Sequence, residues 1–172
     1  LGFDLSRFTE NQETKREKFR KQYGLTSDEI VVSIVGRLVP VKNHAFFLEA
    51  ISKLPAEILS KAKFIIVGDG ESKEEIITQT EVLNLAYKWC EQPEEKTRVL
   101  FTSWIKEVDE VVAGSDIICL TSLNEGTPVS LIEAQAGSKP VISTRVGGIK
   151  DIVIENESAL LTETHEILLF SK

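Results

Sequence analysis

Apolar runs of strand length alternate with helical patterns along nearly the whole chain. The runs predicted as strands are residues 29–35, 63–67, 98–101, 116–120, 140–144 and 159–161. The segments predicted as helices are residues 43–54, 71–90, 108–113, 127–137 and 149–153. The strands are continuously apolar, which is typical of a parallel sheet covered on both faces. The pattern therefore predicts a doubly wound α/β domain with a parallel sheet of about six strands and helices on both faces.

Individual positions extend this prediction to the core. Phe46 and Phe47 lie on the apolar stripe of a predicted helix, and Cys119 lies inside a predicted strand. Cys90 closes the apolar face of another predicted helix. We expect all four side chains to pack in the interior. The polar segment 11–21, ahead of the first strand, is predicted as a helix or linker.

Composition narrows the class of protein. Hydrophobic residues make up 42% of the 172 residues, enough for a packed core. Acidic residues outnumber basic ones 27 to 20, and the net charge of −7 argues against nucleic acid as a partner. The two cysteines suit a reducing compartment, and no leader or membrane span is apparent. We therefore expect a cytoplasmic protein.

In open α/β sheets, ligands bind beyond the carboxyl ends of the strands. The segments that directly follow the predicted strands are residues 36–37, 68–70, 103–105, 122–130 and 146–148. In the first of them Gly36 allows a sharp turn, Arg37 follows, and Lys42 lies five positions later. Two cations at this edge suit a diphosphate, although surface cations that pair with neighbouring acids would look the same. The glycine spacing fits neither a dinucleotide fingerprint nor a Walker A loop.

The segment after the fourth predicted strand carries the strongest signal. Glu125 lies in the loop and Glu133 lies eight positions later, inside the helix that the loop opens. Thr127-Pro128 predicts the helix start, with a hydroxyl cap and proline at the first helical position. Free N–H groups are expected on Gly126, Thr127, Val129 and Ser130.

These groups together favour one class of ligand. Helix-start amides bind an anion, and a carboxylate accepts hydrogen bonds from adjacent hydroxyls. A nucleotide sugar offers a diphosphate in the middle and a diol at each end. Either glutamate alone would be read as an exposed acid near a helix N-terminus, but the pair on this loop favours the nucleotide sugar.

Glu125 and Glu133, within Ser-x-x-Glu-Gly-x-Pro-x-x-x-x-Glu-Ala, resemble the Glu-x7-Glu motif of retaining glycosyltransferases of family 4 (group 1), which have the GT-B fold. Other stretches agree in order and spacing. They are Gly36-Arg37-Leu38 with Lys42-Asn43, Val67-Gly68-Asp69-Gly70, Ser115-Asp116-Ile117, and residues 134–142 followed by Val146-Gly147-Gly148. The resemblance covers nearly the whole chain.

The resemblance implies the Rossmann-like, C-terminal, donor-binding half of an enzyme that moves a hexose-type sugar from a nucleoside diphosphate to an acceptor hydroxyl. It implies that Arg37 and Lys42 neutralise the diphosphate, Glu125 contacts the transferred sugar, and Glu133 holds the ribose hydroxyls. It further assigns to the donor site Gly36, Gly70, Trp104, Ile105, Gly126, Thr127, Pro128, Val129 and Ser130. Trp104 and Ile105 would border the base. The family generally needs no metal or cofactor.

The resemblance also bears on the ends of the chain. Residues 2–8 are similar to the family's interdomain hinge, so we expect 1–28 to be a hinge and leading helix and 29–172 to be the donor domain. The N-terminal acceptor domain would be missing and the isolated chain inactive. The full-length enzyme is compatible with peripheral attachment to the cytoplasmic membrane face. Two departures are a long 71–96 segment and Ser103-Trp104 in place of a glycine.

Two other interpretations stay open at this stage. A non-catalytic nucleotide-sugar-binding module would keep the same fold and charged residues. A phosphoacceptor signalling domain is disfavoured, because Phe101-Thr102-Ser103-Trp104 stands where it would need an acidic cluster. Trp104 suits base stacking and plain packing equally well. His44 is predicted as a surface or capping residue, and His165 is not a credible general base.

Overall fold

The computed structural model describes residues 4–91 and 93–166, so residues 2 and 3 of the predicted hinge and residues 167–172 lie outside the described part. The strands are β1 (Ile30–Val35), β2 (Ala62–Val67), β3 (Tyr87–Trp89), β4 (Val99–Phe101), β5 (Ile117–Leu120), β6 (Val141–Thr144) and β7 (Ala159–Thr162). The α-helices are α1 (Ser6–Thr9), α2 (Gln12–Gln22), α3 (His44–Lys53), α4 (Ala56–Lys61), α5 (Lys73–Val82), α6 (Val108–Gly114) and α7 (Val129–Ala136). Short 3-10 helices cover Pro40–Lys42 and Gly147–Asp151.

The strands form one sheet in the order β3-β4-β2-β1-β5-β6-β7, and all six strand pairs are parallel. Val32 of β1 is level with Phe64 of β2 on one side and with Ile117 of β5 on the other. The chain builds outward from β1 in both directions, so the strand order reverses between β1 and β5. This confirms the predicted doubly wound α/β fold, in which a ligand is expected beyond the carboxyl ends of these strands.

The additional strand β3 (Tyr87–Trp89) corrects the prediction of a single helix over residues 71–90. Helix α5 stops before Asn84, which adopts a positive φ of 54°. The chain then returns as β3, where the rings of Tyr87 and Trp89 lie 5.8 and 5.2 Å from that of Phe101. Tyr87 and Trp89 therefore belong to an edge strand that pairs with β4, and not to a helix.

The core has two layers, one on each face of the sheet. Beneath α3 and α5 lie Val32, Ile34, Phe46, Phe47, Ile51, Phe64, Ile66, Phe101 and Cys119. Beneath α2, α6 and α7 lie Phe19, Ile65, Leu100, Val111, Ile118, Leu120 and Leu131. Adjacent residues of one strand face opposite layers, which explains why the central strands carry apolar residues on both faces.

Two of the sequence predictions about single side chains are wrong. Cys90 is exposed, because it follows an edge strand and not the buried face of a helix. His44 is 2% exposed and makes no capping hydrogen bond. Burial, aided by the nearby charge of Lys42, lowers the pKa of His44 to about 4. His165 is exposed.

Asp116, just before β5, attaches the leading helix α2 to the sheet. Its carboxylate oxygens lie 2.8 Å from Arg16 Nη2 and 2.7 Å from Arg20 Nη2, and the Val31 amide donates a 2.8 Å hydrogen bond. Burial alone would raise the pKa of Asp116, but the amide and the two guanidinium groups together hold it below its ordinary value. Phe19 of the same helix is buried in the core.

Candidate functional site

The loops that follow the central strands meet at one edge of the sheet. The Leu38 amide donates to the Asp69 carbonyl (3.0 Å), which joins the loops after β1 and β2. The Leu123 amide donates to the Val41 carbonyl (2.8 Å), which joins the loops after β5 and β1. The predicted site segments therefore share one surface.

Close backbone contact between the first two loops requires glycine. A Cβ on Gly68 would stand 1.9 Å from the carbonyl oxygen of Gly36, and one on Gly70 would stand 2.4 Å from that of Leu38. Gly68 also has a φ of 146°. Gly70, assigned to the donor site by resemblance, is thus in contact with the loop that carries Arg37, and its nearest neighbours are backbone atoms.

The loop after β6 supports the loop that carries Glu125 in the same way. Gly147 has a φ of 49°, and a Cβ there would stand 1.8 Å from the Glu125 carbonyl oxygen. A Cβ on Gly148 would stand 2.1 Å from the Gly126 carbonyl oxygen. The Gly148 amide donates to the Glu125 carbonyl at 3.0 Å. The glycine pair therefore fixes the position of the backbone beneath Glu125.

Lys42 and Glu125 form the central ion pair of this edge. Lys42 Nζ lies 2.6 Å from Glu125 Oε1, and the Ser122 hydroxyl lies 2.5 Å from the same oxygen. The Glu125 side chain is 8% exposed and that of Lys42 is 23% exposed. The Thr121 hydroxyl donates to the Lys42 carbonyl at 3.0 Å. The structure thus brings together the two charges that sequence predicted, and it gives Ser122 of the predicted segment 122–130 a contact that sequence had not assigned to it.

Arg37 does not join this pair. Its guanidinium lies 3.5 Å from a carboxylate oxygen of Glu71, and both side chains are about two-thirds exposed. An exposed pair of this kind contributes little to stability, so Arg37 is free to exchange partners.

The start of α7 differs in detail from the prediction. The helix begins at Val129 with Pro128 in the capping position, and the Thr127 side chain makes no capping hydrogen bond. The Val129 amide is occupied by the Thr127 carbonyl at 2.9 Å. Among residues 4–91 and 93–166, no acceptor lies against the amides of Gly126, Thr127 and Ser130. Three of the four expected N–H groups are therefore free, and space beside Gly126 is open.

Glu133 lies half-buried on α7 beside Arg7 and Asp109. Burial raises the pKa of Glu133, the Arg7 charge lowers it, and the Asp109 charge raises it further. Within the described part of the chain its carboxylate makes no hydrogen bond or ion pair. A half-buried carboxylate without a donor can accept hydrogen bonds from a ligand.

The loop after β4 carries Trp104, which is 60% exposed, and Ile105, which packs partly against the core. Ser103 before them has a φ of 58°, and its hydroxyl donates to Asp69 Oδ2 at 2.9 Å. This bond was missed by sequence reasoning, and its only signal was the serine in the position of the family's glycine.

An apolar groove of about 720 Å³ lies elsewhere, near the amino ends of the strands. Its lining includes Ile30, Phe47, Pro55, Ile117 and Ile142. It has no cluster of polar groups to orient a phosphate or a sugar, so the carboxyl edge is the better candidate site. Over residues 4–91 and 93–166, the structure has no group of three or more His, Cys, Asp or Glu side chains that could hold a metal. In the same part of the chain no helix has the length and apolarity to span a bilayer.

Comparison with known proteins gives a family match and several relatives. The family model of glycosyl transferases group 1 matches residues 15–172. The chain is 30% identical over 169 residues to UDP-Gal:alpha-D-GlcNAc-diphosphoundecaprenol alpha-1,3-galactosyltransferase of Escherichia coli, covering 96% of the chain and 41% of the relative. It is 30% identical over 146 residues to N-acetyl-alpha-D-glucosaminyl L-malate synthase of Bacillus anthracis, covering 85% and 35%. The chain thus spans well under half of either relative.

Solved structures share the fold. Alr3699/HepE of Anabaena, in complex with UDP and glucose, superposes with a TM-score of 0.82 at 23% identity, over 99% of this chain and 44% of that one. The C-terminal domain of the group 1 protein LpcC from Francisella tularensis superposes with a TM-score of 0.76 at 19% identity, over 99% and 84%.

Proposed function

The chain belongs to the glycosyl transferases group 1 family, and on that premise we propose that it is the donor-binding half of a retaining glycosyltransferase. Its ligand would be a nucleoside-diphosphate sugar of the hexose type. Residues 1–28 would serve as hinge and leading helix and 29–172 as the donor domain. The acceptor domain would be a separate, N-terminal part of the enzyme.

One observation carries the proposal: cation, free amides and unpaired carboxylate lie on the same edge of the sheet. Lys42 supplies a partly buried cation, and Gly126, Thr127 and Ser130 supply the free amides. Glu133, one turn into α7, supplies the carboxylate without a donor. A diphosphate matches the first two groups and a ribose diol matches the third.

We propose for these groups the roles that the family resemblance implies. Lys42, with Arg37 recruited from its exposed pair, would neutralise the diphosphate, and Glu133 would accept from the ribose hydroxyls. Glu125, held by Lys42 and Ser122, would contact the transferred sugar. Gly36, Gly70 and residues 126–130 would line the site.

In the transfer step the bond between the sugar C1 and the diphosphate oxygen breaks, and its electron pair goes to that oxygen. The acceptor hydroxyl oxygen bonds to C1 on the same face, and its proton passes to the departing diphosphate. Charge therefore grows on the leaving group, where Lys42, Arg37 and the helix-start amides would stabilise it. We expect the reaction to proceed with these groups and without a metal or other cofactor.

The nucleotide is proposed to be a uridine diphosphate. The name of the Escherichia coli relative specifies UDP-Gal, and the Anabaena structure holds UDP and glucose. Trp104, 60% exposed beside the site, together with Ile105, would border the base. We further propose a cytoplasmic enzyme, with its full-length form associating peripherally with the membrane.

Titration calorimetry of the 172-residue chain with UDP, GDP and ADP tests the proposal. UDP should bind, and Glu133→Gln should weaken binding about tenfold to a hundredfold, because a hydrogen bond to a charged group contributes about 1.5–3 kcal/mol. Arg37→Ala combined with Lys42→Ala should weaken it at least as much. Glu157→Gln, a substitution at an exposed glutamate outside the site, is the matched control and should leave binding unchanged.

Absence of heat with all three nucleotides at millimolar concentration, from a chain that is folded by circular dichroism, would refute donor binding. The isolated chain should transfer no sugar, and turnover by residues 1–172 alone would refute the half-enzyme proposal.

A further inference from the structure

Asp69, in the loop after β2, connects three of the loops at the carboxyl edge. Its carbonyl accepts the Leu38 amide at 3.0 Å, which ties it to the loop that carries Arg37. Its side chain accepts the Gly70 amide at Oδ1 and the Ser103 hydroxyl at Oδ2, both at 2.9 Å. These two donors, the hydroxyl first, hold the pKa of Asp69 below its ordinary value. The carboxylate is therefore an acceptor only, and the Ser103 hydroxyl donates to it.

Ser103 is held in a backbone conformation that its side chain does not favour. Its φ of 58° lies in the left-handed region, which a residue with a Cβ rarely adopts. The Gly68 amide donates to the Ser103 carbonyl at 3.0 Å, and the Thr102 hydroxyl donates to the same oxygen at 3.1 Å. The hydrogen bond to Asp69 is the only one of these three that involves the Ser103 side chain. Removing the hydroxyl therefore keeps the backbone contacts and releases the side-chain link.

Trp104 depends on this turn for its position, because its own packing is slight. It is 60% exposed, whereas Ile105, the next residue, packs against the core layer beneath α2 and α6. Trp104 is thus fixed from two sides, by the turn at Ser103 and by the packing of Ile105. A rotation of the backbone at Ser103 would redirect the indole ring.

The place of this loop in the sheet separates it from the groups proposed to bind the diphosphate. Strand β4 is two strands away from β1 in the sheet order. Neighbouring strands are about 4.8 Å apart, so the two loops are spaced by roughly 10 Å where they leave the sheet. A nucleotide that places its diphosphate beside Lys42 therefore reaches the loop after β4 with its nucleoside end.

We propose that Ser103 and Asp69 are positioning residues for the nucleotide base: the hydrogen bond between them fixes the turn that places Trp104 against the base. The inference rests on the proposed function, because it assumes a nucleotide at this edge with its base beside Trp104. It goes beyond that function by giving a task to two residues that act through Trp104. Nucleotide affinity then depends on one side-chain hydrogen bond between two loops.

Ser138 provides a matched control. It is another serine in the left-handed region, with a φ of 56°. It is exposed and lies between α7 and β6, at the edge of the sheet opposite to the site. Substitution by glycine relieves the same backbone conformation at Ser103 and at Ser138. An effect on nucleotide binding that comes from Ser103 alone therefore reports its place in the site.

Calorimetry with UDP on the full chain tests the proposal. Ser103→Ala should weaken binding about tenfold and Ser103→Gly, which suits the positive φ, about threefold, because a mobile Trp104 must be ordered on binding. Ser138→Gly should change it by less than about twofold. Trp104→Ala should itself bind UDP more weakly, and in that background neither Ser103 variant should lower the affinity further. The loss in a combined Asp69→Ala and Ser103→Ala variant should be smaller than the product of the two single losses.

A spectroscopic measurement reports the order of Trp104 without ligand. The chain has two tryptophans, so a Trp89→Phe background leaves Trp104 as the sole emitter. The fluorescence anisotropy of Trp104 should decay faster in Ser103→Gly and in Asp69→Ala than in that background alone. Ser138→Gly should leave the decay unchanged. If Ser103→Ala does not fold, Ser103→Gly carries the same comparisons, because glycine suits the positive φ.

Full UDP affinity in the Ser103 variants or in Trp104→Ala would overturn the roles of Ser103 and Asp69 while donor binding stands. An undiminished effect of the Ser103 variants in the Trp104→Ala background, or an unchanged anisotropy decay, would do the same. Failure of the wild-type chain to bind UDP would remove the proposed function and this inference with it.

Discussion

Gly126 lies in the loop that carries Glu125, and Gly147 packs against the backbone of that loop. Each substitution, Gly147→Ala and Gly126→Ala, adds one methyl group, and we expect opposite outcomes. At Gly147 the methyl group would stand 1.8 Å from the carbonyl oxygen of Glu125, at a φ of 49°. At Gly126 it would meet nothing within 4 Å. Gly147→Ala should therefore destabilise the fold, whereas Gly126→Ala should spare the fold and obstruct the ligand.

The magnitude follows from two separate costs at Gly147. The left-handed conformation costs an alanine roughly 1–2 kcal/mol. Displacing a packed backbone carbonyl costs typically about 1–3 kcal/mol. Their sum is about 2–5 kcal/mol, which for a domain of this size lowers Tm by roughly 4–20 °C. Gly126→Ala should change stability by less than about 1 kcal/mol.

Urea denaturation followed by circular dichroism gives the stability of each variant, and calorimetry with UDP gives its affinity. Gly126→Ala should bind UDP at least about tenfold more weakly, which corresponds to about 1.4 kcal/mol. Equal destabilisation by the two substitutions, or a Gly147→Ala variant as stable as wild type, would refute the packing described for this loop. Full UDP affinity in Gly126→Ala would show that the ligand lies elsewhere.

Three further predictions concern charge and thiol chemistry. Lys42→Met should cost roughly 1–3 kcal/mol in urea denaturation, because it leaves the buried Glu125 carboxylate without its cation; no loss would show that the pair is absent in solution. Asp116→Asn should lower the free energy of unfolding by a constant amount above about pH 5. The difference between the variant and the wild type should shrink below about pH 4, because the pKa of Asp116 is lowered in the folded protein and its contribution is lost as the folded carboxylate is protonated. A difference that grows on acidification would contradict the ion pairs described for Asp116. Ellman's reagent should modify Cys90 in the native protein and Cys119 only after denaturation, since the first is exposed and the second is 1% exposed; rapid native modification of both would contradict the burial of β5.

Sequence patterns predicted the central strands because a strand buried on both faces carries mostly apolar residues on both of them. The edge strand β3 was not predicted, because it is short and only partly buried. Tyr87 and Trp89 are both half-buried, and their contacts with Phe101 come from strand pairing. Spacing alone does not distinguish such a short apolar segment from a helix.

The sequence predicted those parts of the candidate site whose charge depends on the residue type alone. Lys42 and Glu125 were expected at one edge, and they form a direct ion pair. Finer features depend on tertiary contacts that no local pattern encodes. Pro128 takes the capping position predicted for Thr127, because the turn before α7 is set by the loop. The ion pair of Arg7 with Asp109 likewise forms only because α1 packs on α6.

The central claim is that the carboxyl edge of the sheet binds a nucleoside diphosphate. The most direct measurement is an amide NMR titration of the 172-residue chain with UDP. The largest shifts should fall on the free amides of Gly126, Thr127 and Ser130 and on the loop around Lys42. Saturable shifts confined to the apolar groove near Ile30, or no shifts at millimolar UDP, would contradict the account.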